Sequence, residues 1–264
     1  TLEPSSAASD VYKRQTTHDQ GAVRVLRFNR PETLNAFNGA MFDAVTEELL
    51  AAAENDAVKV LIITGEGRAF SAGMDLADRP AKDPMPEHGF EGMFEAFIEF
   101  PKPILLAING VGVGFGCTIT GLADLVFMAA SSKLRCPFTA LGLTAEAAST
   151  VTFPAMMGPQ VAHWVLLSSE WLDAQTCKEY GLAFAVVADD VLMQRTMEQA
   201  QVLAAKPLAS LITTKEMLMA PRREALREAS EIETAGLGSL MGGPANQEAI
   251  AAFKERRDPD FSKF

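Results

Sequence analysis

The chain is poor in cysteine and histidine and has no run of basic residues. Its three cysteines, Cys117, Cys136 and Cys177, are odd in number and form no Cys-x-x-Cys pair, so no disulfide framework is implied. Cys117 and Cys136 lie in apolar surroundings and read as small core residues, which fits a reducing compartment. His18, His88 and His163 are scattered without ligand spacing, so no metal site is expected. The net charge is −11 and no Lys/Arg run occurs, which argues against a nucleic-acid partner; an anionic ligand would need a local basic patch. No run is long enough to span a membrane, since four glycines within seven residues interrupt the apolar stretch that starts at Ile104. No basic region followed by an apolar one opens the chain, and residues 1–20 are polar, small and aperiodic. They are expected to be a disordered or non-native tail. The ending Ser262-Lys263-Phe264 departs from Ser-Lys-Leu in its final residue, and a cytoplasmic location is expected. Internal repeats and low-complexity segments are also lacking.

What is present suits a folded enzyme-sized unit. With 264 residues, 48% hydrophobic and 22% charged, the chain can bury one sizeable core and carry a small appendage. Apolar, β-branched runs at 23–28, 58–64, 103–108, 125–129 and 184–187 predict strands. Met41, Val45 and Leu49 recur at four-residue spacing, predicting a helix over 40–54 capped by Asn38. Helices are also expected over 90–100, 116–122 and 173–180, the last ending at Gly181. Residues 78–88, rich in proline and charge, read as a loop. From Val191 the pattern is helical, with starts marked by Pro207 and Pro221 and a break at Gly242-Gly243-Pro244. The fold class is therefore α/β, with a core over 21–205 and a helical region over 206–264.

Two glycine-bearing turns carry the chemical signal. Ala69-Phe70-Ser71-Ala72-Gly73-Met74-Asp75-Leu76 follows the strand at 58–64, and Asn109-Gly110-Val111-Gly112-Val113-Gly114-Phe115-Gly116 follows the strand at 103–108. Strand-to-turn junctions of this kind can aim backbone N–H groups at one oxygen that gains negative charge. A dinucleotide fingerprint does not fit, because Phe115 stands where G-x-G-x-x-G needs its third glycine. Close strand–helix packing would also explain the glycines.

The two turns in this order, followed by Asp124, resemble the crotonase (enoyl-CoA hydratase/isomerase) superfamily. Asn29-Arg30-Pro31 with Asn35-Ala36-Phe37 resembles its N-terminal loop, and the stretch from Ala249 to Arg257 resembles its C-terminal helix. The resemblance covers about 23–261. It implies a crotonase-like spiral of ββα units, a C-terminal helical region used in trimerisation (a homotrimer or hexamer), and an acyl-CoA thioester as ligand. Coenzyme A enters only as part of the substrate, with no separate cofactor. By the same match, the N–H groups of Met74 and Phe115 form an oxyanion hole. Ala36, Ser71, Ala72, Gly73, Asp75, Leu76 and Gly114 would contact the substrate. Arg30, Lys254 and Arg257 are candidates for the CoA phosphates, with solvated surface charge as the plainer reading.

The superfamily's hydratases use two glutamates, and the matching positions here are Thr118 and Phe138, which cannot manage a water proton. A different carboxylate is present: the stretch from Pro137 to Glu146 resembles the peroxisomal-type Δ3,Δ2-enoyl-CoA isomerase branch, in which one Glu at the place of Glu146 transfers the proton. The glycine common after that Glu is Ala147 here. Apolar neighbours Leu141, Leu143, Ala145 and Ala147 would raise the carboxyl pKa. On residues alone, the plainer reading of Glu146 is a good helix former near a helix N-terminus, favoured by the dipole. Other reactions of the superfamily, such as hydration, and non-catalytic acyl-CoA binding are the alternatives.

Overall fold

Apolar runs of five or six residues with no polar alternation make strands buried on both faces, and a parallel sheet covered by helices satisfies them. The computed structural model describes residues 14–75 and 85–264, in which the chain forms ten strands and nine α-helices. The main sheet has the order β1 (Gln15–Gln20), β2 (Val23–Phe28), β3 (Val60–Gly65), β5 (Ile104–Ile108), β7 (Leu125–Ala129), β10 (Ala185–Val187). β1 runs antiparallel to β2 and the other neighbours are parallel. Successive side chains go to opposite faces. Leu26, Phe28, Leu61, Ile63, Leu106 and Met128 enter one core, with helices α1 (Gly39–Glu54) and α2 (Gly89–Glu99). Val23, Val25, Val60, Ile62, Leu105 and Phe127 enter a second core, with Leu192, Met197 and Ala200 of α7 (Leu192–Ala204).

The expected α1 is present, and its Asn38 side chain accepts from the Met41 N–H at 3.1 Å. Its far end is held by Lys102, fully buried, whose Nζ donates to the carbonyls of Ala52 (2.7 Å) and Asn55 (2.9 Å). A cation suits the negative end of a helix. Burial pulls this lysine's pKa down.

Each of β3, β5 and β7 is followed by a tight turn and a strand of three residues: β4 (Ala69–Ser71), β6 (Val111–Val113) and β8 (Lys133–Arg135). With β9 (Leu172–Asp173) these form a second sheet in the order β4-β6-β8-β9. Three strand–turn–strand units thus stack side by side, so both glycine turns fall at neighbouring places, and short α3 (Phe115–Thr118) leaves from the second. α4 (Ser149–Met157), α5 (Pro159–Ser168) and α6 (Ala174–Tyr180) follow; α6 is capped by Asp173 and closed by left-handed Gly181. The helical end consists of α8 (Leu208–Leu240) and α9 (Pro244–Glu255), separated where Gly242-Gly243 predicts a break.

Two expectations are corrected. Gln15–Gln20, expected within an unstructured tail, is an edge strand held by β2 through the register Gln15↔Phe28 to Gln20↔Val23. Its outer residues are exposed, which explains the polar sequence. Residues 1–13 lie outside the described residues. Pro221 does not start a helix but lies inside the 33-residue α8. Tertiary bonds flank it and offset the lost N–H. Lys215 Nζ donates to Lys102 O and Asp124 Oδ2, both at 2.7 Å, and Arg223 Nε donates to Ile98 O at 3.0 Å. No described helix is long and apolar enough to cross a membrane.

Candidate active site

The segment 34–37 organises the first turn. Buried Asn35 donates through Nδ2 to the carbonyls of Glu66 (2.9 Å) and Ala69 (2.8 Å), while its Oδ1 accepts from the Arg30 N–H at 2.9 Å. Ser71, fully buried, donates its hydroxyl to Asn35 O at 2.9 Å and accepts from the Gly73 N–H at 3.1 Å. The Ala72 N–H donates to Leu34 O at 2.9 Å. A parallel bridge then joins Phe37 to Met74: Phe37 N–H to Gly73 O at 2.7 Å and Asp75 N–H to Phe37 O at 2.8 Å. In such a bridge the groups flanking Met74 are used, and the Met74 N–H faces away from the 37 segment. Asn109 ties the start of the second turn to the β3–β4 connection that leads into the first, accepting from the Gly65 N–H at 3.1 Å and donating to Gly67 O at 2.9 Å.

The second turn supplies Phe115 as the first residue of α3, where an N–H has no intrahelical acceptor. Phe115's ring is 2% exposed and packs on Phe37 (5.1 Å between centroids) and Phe90 (5.8 Å), which fixes the backbone that carries the N–H. The two turns touch. At Gly73 (φ +82°) a Cβ would lie 2.5 Å from Val113 O and 3.5 Å from Gly114 Cα. Gly114 is itself left-handed (φ +55°), and the point its Cβ would take is 3.6 Å from Oε1 of Glu146. The fold therefore brings Gly73, Gly114 and the Glu146 carboxylate to one place, with Met74 and Phe115 as the next residues along.

Glu146 is half-buried between buried Ala145 and Ala147, and its carboxylate has no hydrogen-bond partner among the described residues. Burial first, and the nearby Glu233 carboxylate second, push its pKa up to about 7. The helix-dipole reading of Glu146 is not realised. The N-terminal donors of α4 are taken by Glu233 of α8, which accepts from the Ala148 N–H (2.7 Å), the Thr150 N–H (2.9 Å) and the Thr150 hydroxyl (2.6 Å). Glu233 was not singled out from the sequence. The available sign was a small-residue face around it, Ala229 and Gly236 at helical spacing.

Ala36, Ser71, Ala72, Gly73 and Asp75 all line the first turn. Asp75 is paired with Arg30 (Nη2 to Oδ2, 2.9 Å), whose Nη1 also donates to Ala36 O, so Arg30 is engaged within this turn. Leu76 lies outside the described residues. Arg257 is paired with Glu248 and Glu255. Thr118 and Phe138 are buried. Met93, Phe94 and Phe97 belong to the main core. Asp124 is structural, accepting from the Ile104 N–H and Lys215 Nζ, each at 2.7 Å. Although the histidines have no ligand spacing along the chain, the fold gathers ligand atoms of Glu47, Glu87 and His88 within 4.8 Å of one another at the surface.

Comparison with known proteins identifies the family and the fold. The enoyl-CoA hydratase/isomerase family profile matches residues 18–263. The chain is 31% identical over 255 residues to the 1,2-epoxyphenylacetyl-CoA isomerase of Escherichia coli (strain K12), covering 93% of this chain and 97% of that protein. It is 30% identical over 245 residues to enoyl-CoA delta isomerase 2 of Rattus norvegicus, covering 90% of this chain and 62% of that one. Among solved structures, an enoyl-CoA hydratase/isomerase from Pseudoalteromonas atlantica T6c superposes with a TM-score of 0.89 at 30% identity, over 95% of this chain and 100% of the other.

Proposed function

The chain belongs to the enoyl-CoA hydratase/isomerase family, and on that premise we propose that it shifts the double bond of a 3-enoyl-CoA to the 2-position, as fatty-acid oxidation requires. Glu146 is the base. The thioester oxygen accepts from the N–H groups of Met74 and Phe115, which acidifies C2. Glu146 takes a proton from C2, the dienolate charge rests on the thioester oxygen, and protonated Glu146 returns the proton at C4. A single group can serve both steps when its pKa lies near the working pH. Coenzyme A is needed only as the substrate's handle.

One observation carries this reading: the Glu146 carboxylate lies beside Gly114, the residue before Phe115, with a pKa near 7 and no hydrogen bond to compromise it. The absence of carboxylates at Thr118 and Phe138 supports isomerisation over hydration. The likeness to a 1,2-epoxyphenylacetyl-CoA isomerase favours a second reading, in which the same base acts on another CoA ester. Exposed Met217, Leu218, Ile232, Met241 and Phe253 on and beside the C-terminal helices support assembly as a homotrimer or hexamer as part of the same proposal.

Glu146→Gln is expected to lower 3-enoyl-CoA isomerisation by at least about a hundredfold, while calorimetric binding of a saturated acyl-CoA stays within a few-fold. Full activity in that variant refutes the role of Glu146. Hydrated product, or turnover of an epoxide ester alone, moves the assignment within the family. Tight binding without turnover of any ester points to a binding protein.

A further inference from the structure

Glu233 plays no direct part in the proposed reaction, yet it is a carboxylate only 4% exposed, carried by α8 underneath the Glu146 loop. Three donors converge on it: the N–H groups of Ala148 and Thr150 and the Thr150 hydroxyl. The connection from Glu146 to these donors is unfavourable by itself. Ala147 (φ +58°) and Ala148 (φ +54°) are both left-handed, at about 1–2 kcal/mol each for a residue with a Cβ. On the other side of Glu146, Gly236 lets α8 approach closely: a Cβ there would stand 3.0 Å from Thr144 Cγ2. Glu233 and Gly236 are three apart on α8 and so share a face. One helix face therefore grips the loop before and after the reactive carboxyl.

We propose that Glu233 is the positioning residue for Glu146, holding the left-handed Ala147–Ala148 segment so that the Glu146 carboxylate stays over the Gly114–Phe115 turn. The proposal rests on the reading of Glu146 as the base. Glu233 also acts through its charge. Burial raises its pKa, and the three donated hydrogen bonds work against that rise in favour of the ionised form. A like charge then faces Glu146 and favours the protonated state there. Among the described residues, the 143–148 loop, the Gly114–Phe115 turn and Gly236 bring no further charge to this place. The two carboxyls are thus coupled: whenever Glu233 is ionised, it holds the Glu146 proton more tightly.

The test compares wild type, Glu233→Gln and Thr150→Val. The Glu146 carboxyl is titrated without substrate by infrared difference spectroscopy, with Glu146→Gln assigning the band, and kcat and KM for 3-enoyl-CoA are followed against pH. Glu233→Gln is expected to move the Glu146 midpoint downward and to lower kcat roughly tenfold to hundredfold, with KM changed far less. An unmoved midpoint together with unchanged kcat, in folded protein, overturns the proposal. If Glu233→Gln does not fold, Thr150→Val decides: it removes the 2.6 Å hydroxyl bond at an exposed position and keeps both carboxyls. A several-fold loss of kcat supports the clamp, and wild-type kcat at every pH refutes it. Should wild type turn over no enoyl ester, the reading of Glu146 as base fails, while the midpoint still tests the link between the two carboxyls.

Discussion

Replacing Glu146 by glutamine is expected to make the protein more stable, by an amount that grows from about pH 4.5 and levels off above about pH 7. The folded protein holds this carboxyl at a pKa of about 7 against an ordinary value of 4.5. Between those values the folded state binds more protons than the unfolded chain, so stability falls as pH rises, and the loss is complete above about pH 7. Each tenfold change in proton affinity is worth about 1.4 kcal/mol, so the full penalty is about 3 kcal/mol. Roughly 2.5 kcal/mol of it develops between pH 5 and pH 8.5. Glutamine, of nearly the same shape, never ionises and escapes it. Urea unfolding of both proteins at the two pH values isolates the effect, because titrating groups away from this site cancel in the double difference and leave Glu146 with the Glu233 carboxyl that faces it. With a denaturant slope of about 3 kcal/mol/M, the midpoint gap should widen by about 0.8 M at pH 8.5. A gap of the same size at both pH values would show that folding does not strain the ionised carboxyl, and the case for a pKa near 7 would fall. Activity plays no part in this measurement. A stabilised yet inactive variant would be the usual exchange of stability for function at a reactive site.

Two further outcomes follow from the packing. Gly116→Ala would place a methyl 2.4 Å from the Ser71 carbonyl oxygen and 3.1 Å from its carbon, both backbone atoms that cannot swing aside. A loss of about 1–3 kcal/mol in thermal unfolding is expected, with turnover lost beyond what stability explains; a wild-type melt would contradict the close contact of the two turns. Asp124→Ala would leave Lys215, 5% exposed, without its carboxylate and with one carbonyl acceptor. The expected cost is about 3–5 kcal/mol, read as a fall in melting temperature of roughly 10 °C; an unchanged melt would remove Asp124 from the structural role.

The main sheet is legible in the chain because β3, β5 and β7 are unbroken apolar runs, and α1 and α6 announce themselves through Asn38, Asp173 and Gly181. The second sheet is not, since strands of two or three residues are too short to show a period. Polar β1 exists by pairing with β2, and unfavourable Pro221 stays helical through anchors on each side; both are tertiary effects that local patterns do not encode. At the site, Met74, Phe115 and Glu146 stand out through motif resemblance, and the fold gathers their neighbourhood. Glu233 is invisible along the chain because its partners lie 83 and 85 residues away.

The paired left-handed alanines also restrict how this protein can drift. Valine, isoleucine or threonine at 147 or 148 would meet a backbone shape that branched side chains strongly resist, so single-step variation there is confined to a few small residues, with glycine the most comfortable. Glycine at those positions would relax the loop without help from α8. A lineage that acquired it first could then afford to lose Glu233, whereas one that lost Glu233 first would be left with a distorted hinge and nothing to hold it. Mutational history at two adjacent alanines and a glutamate 85 residues further along is thereby given a preferred order.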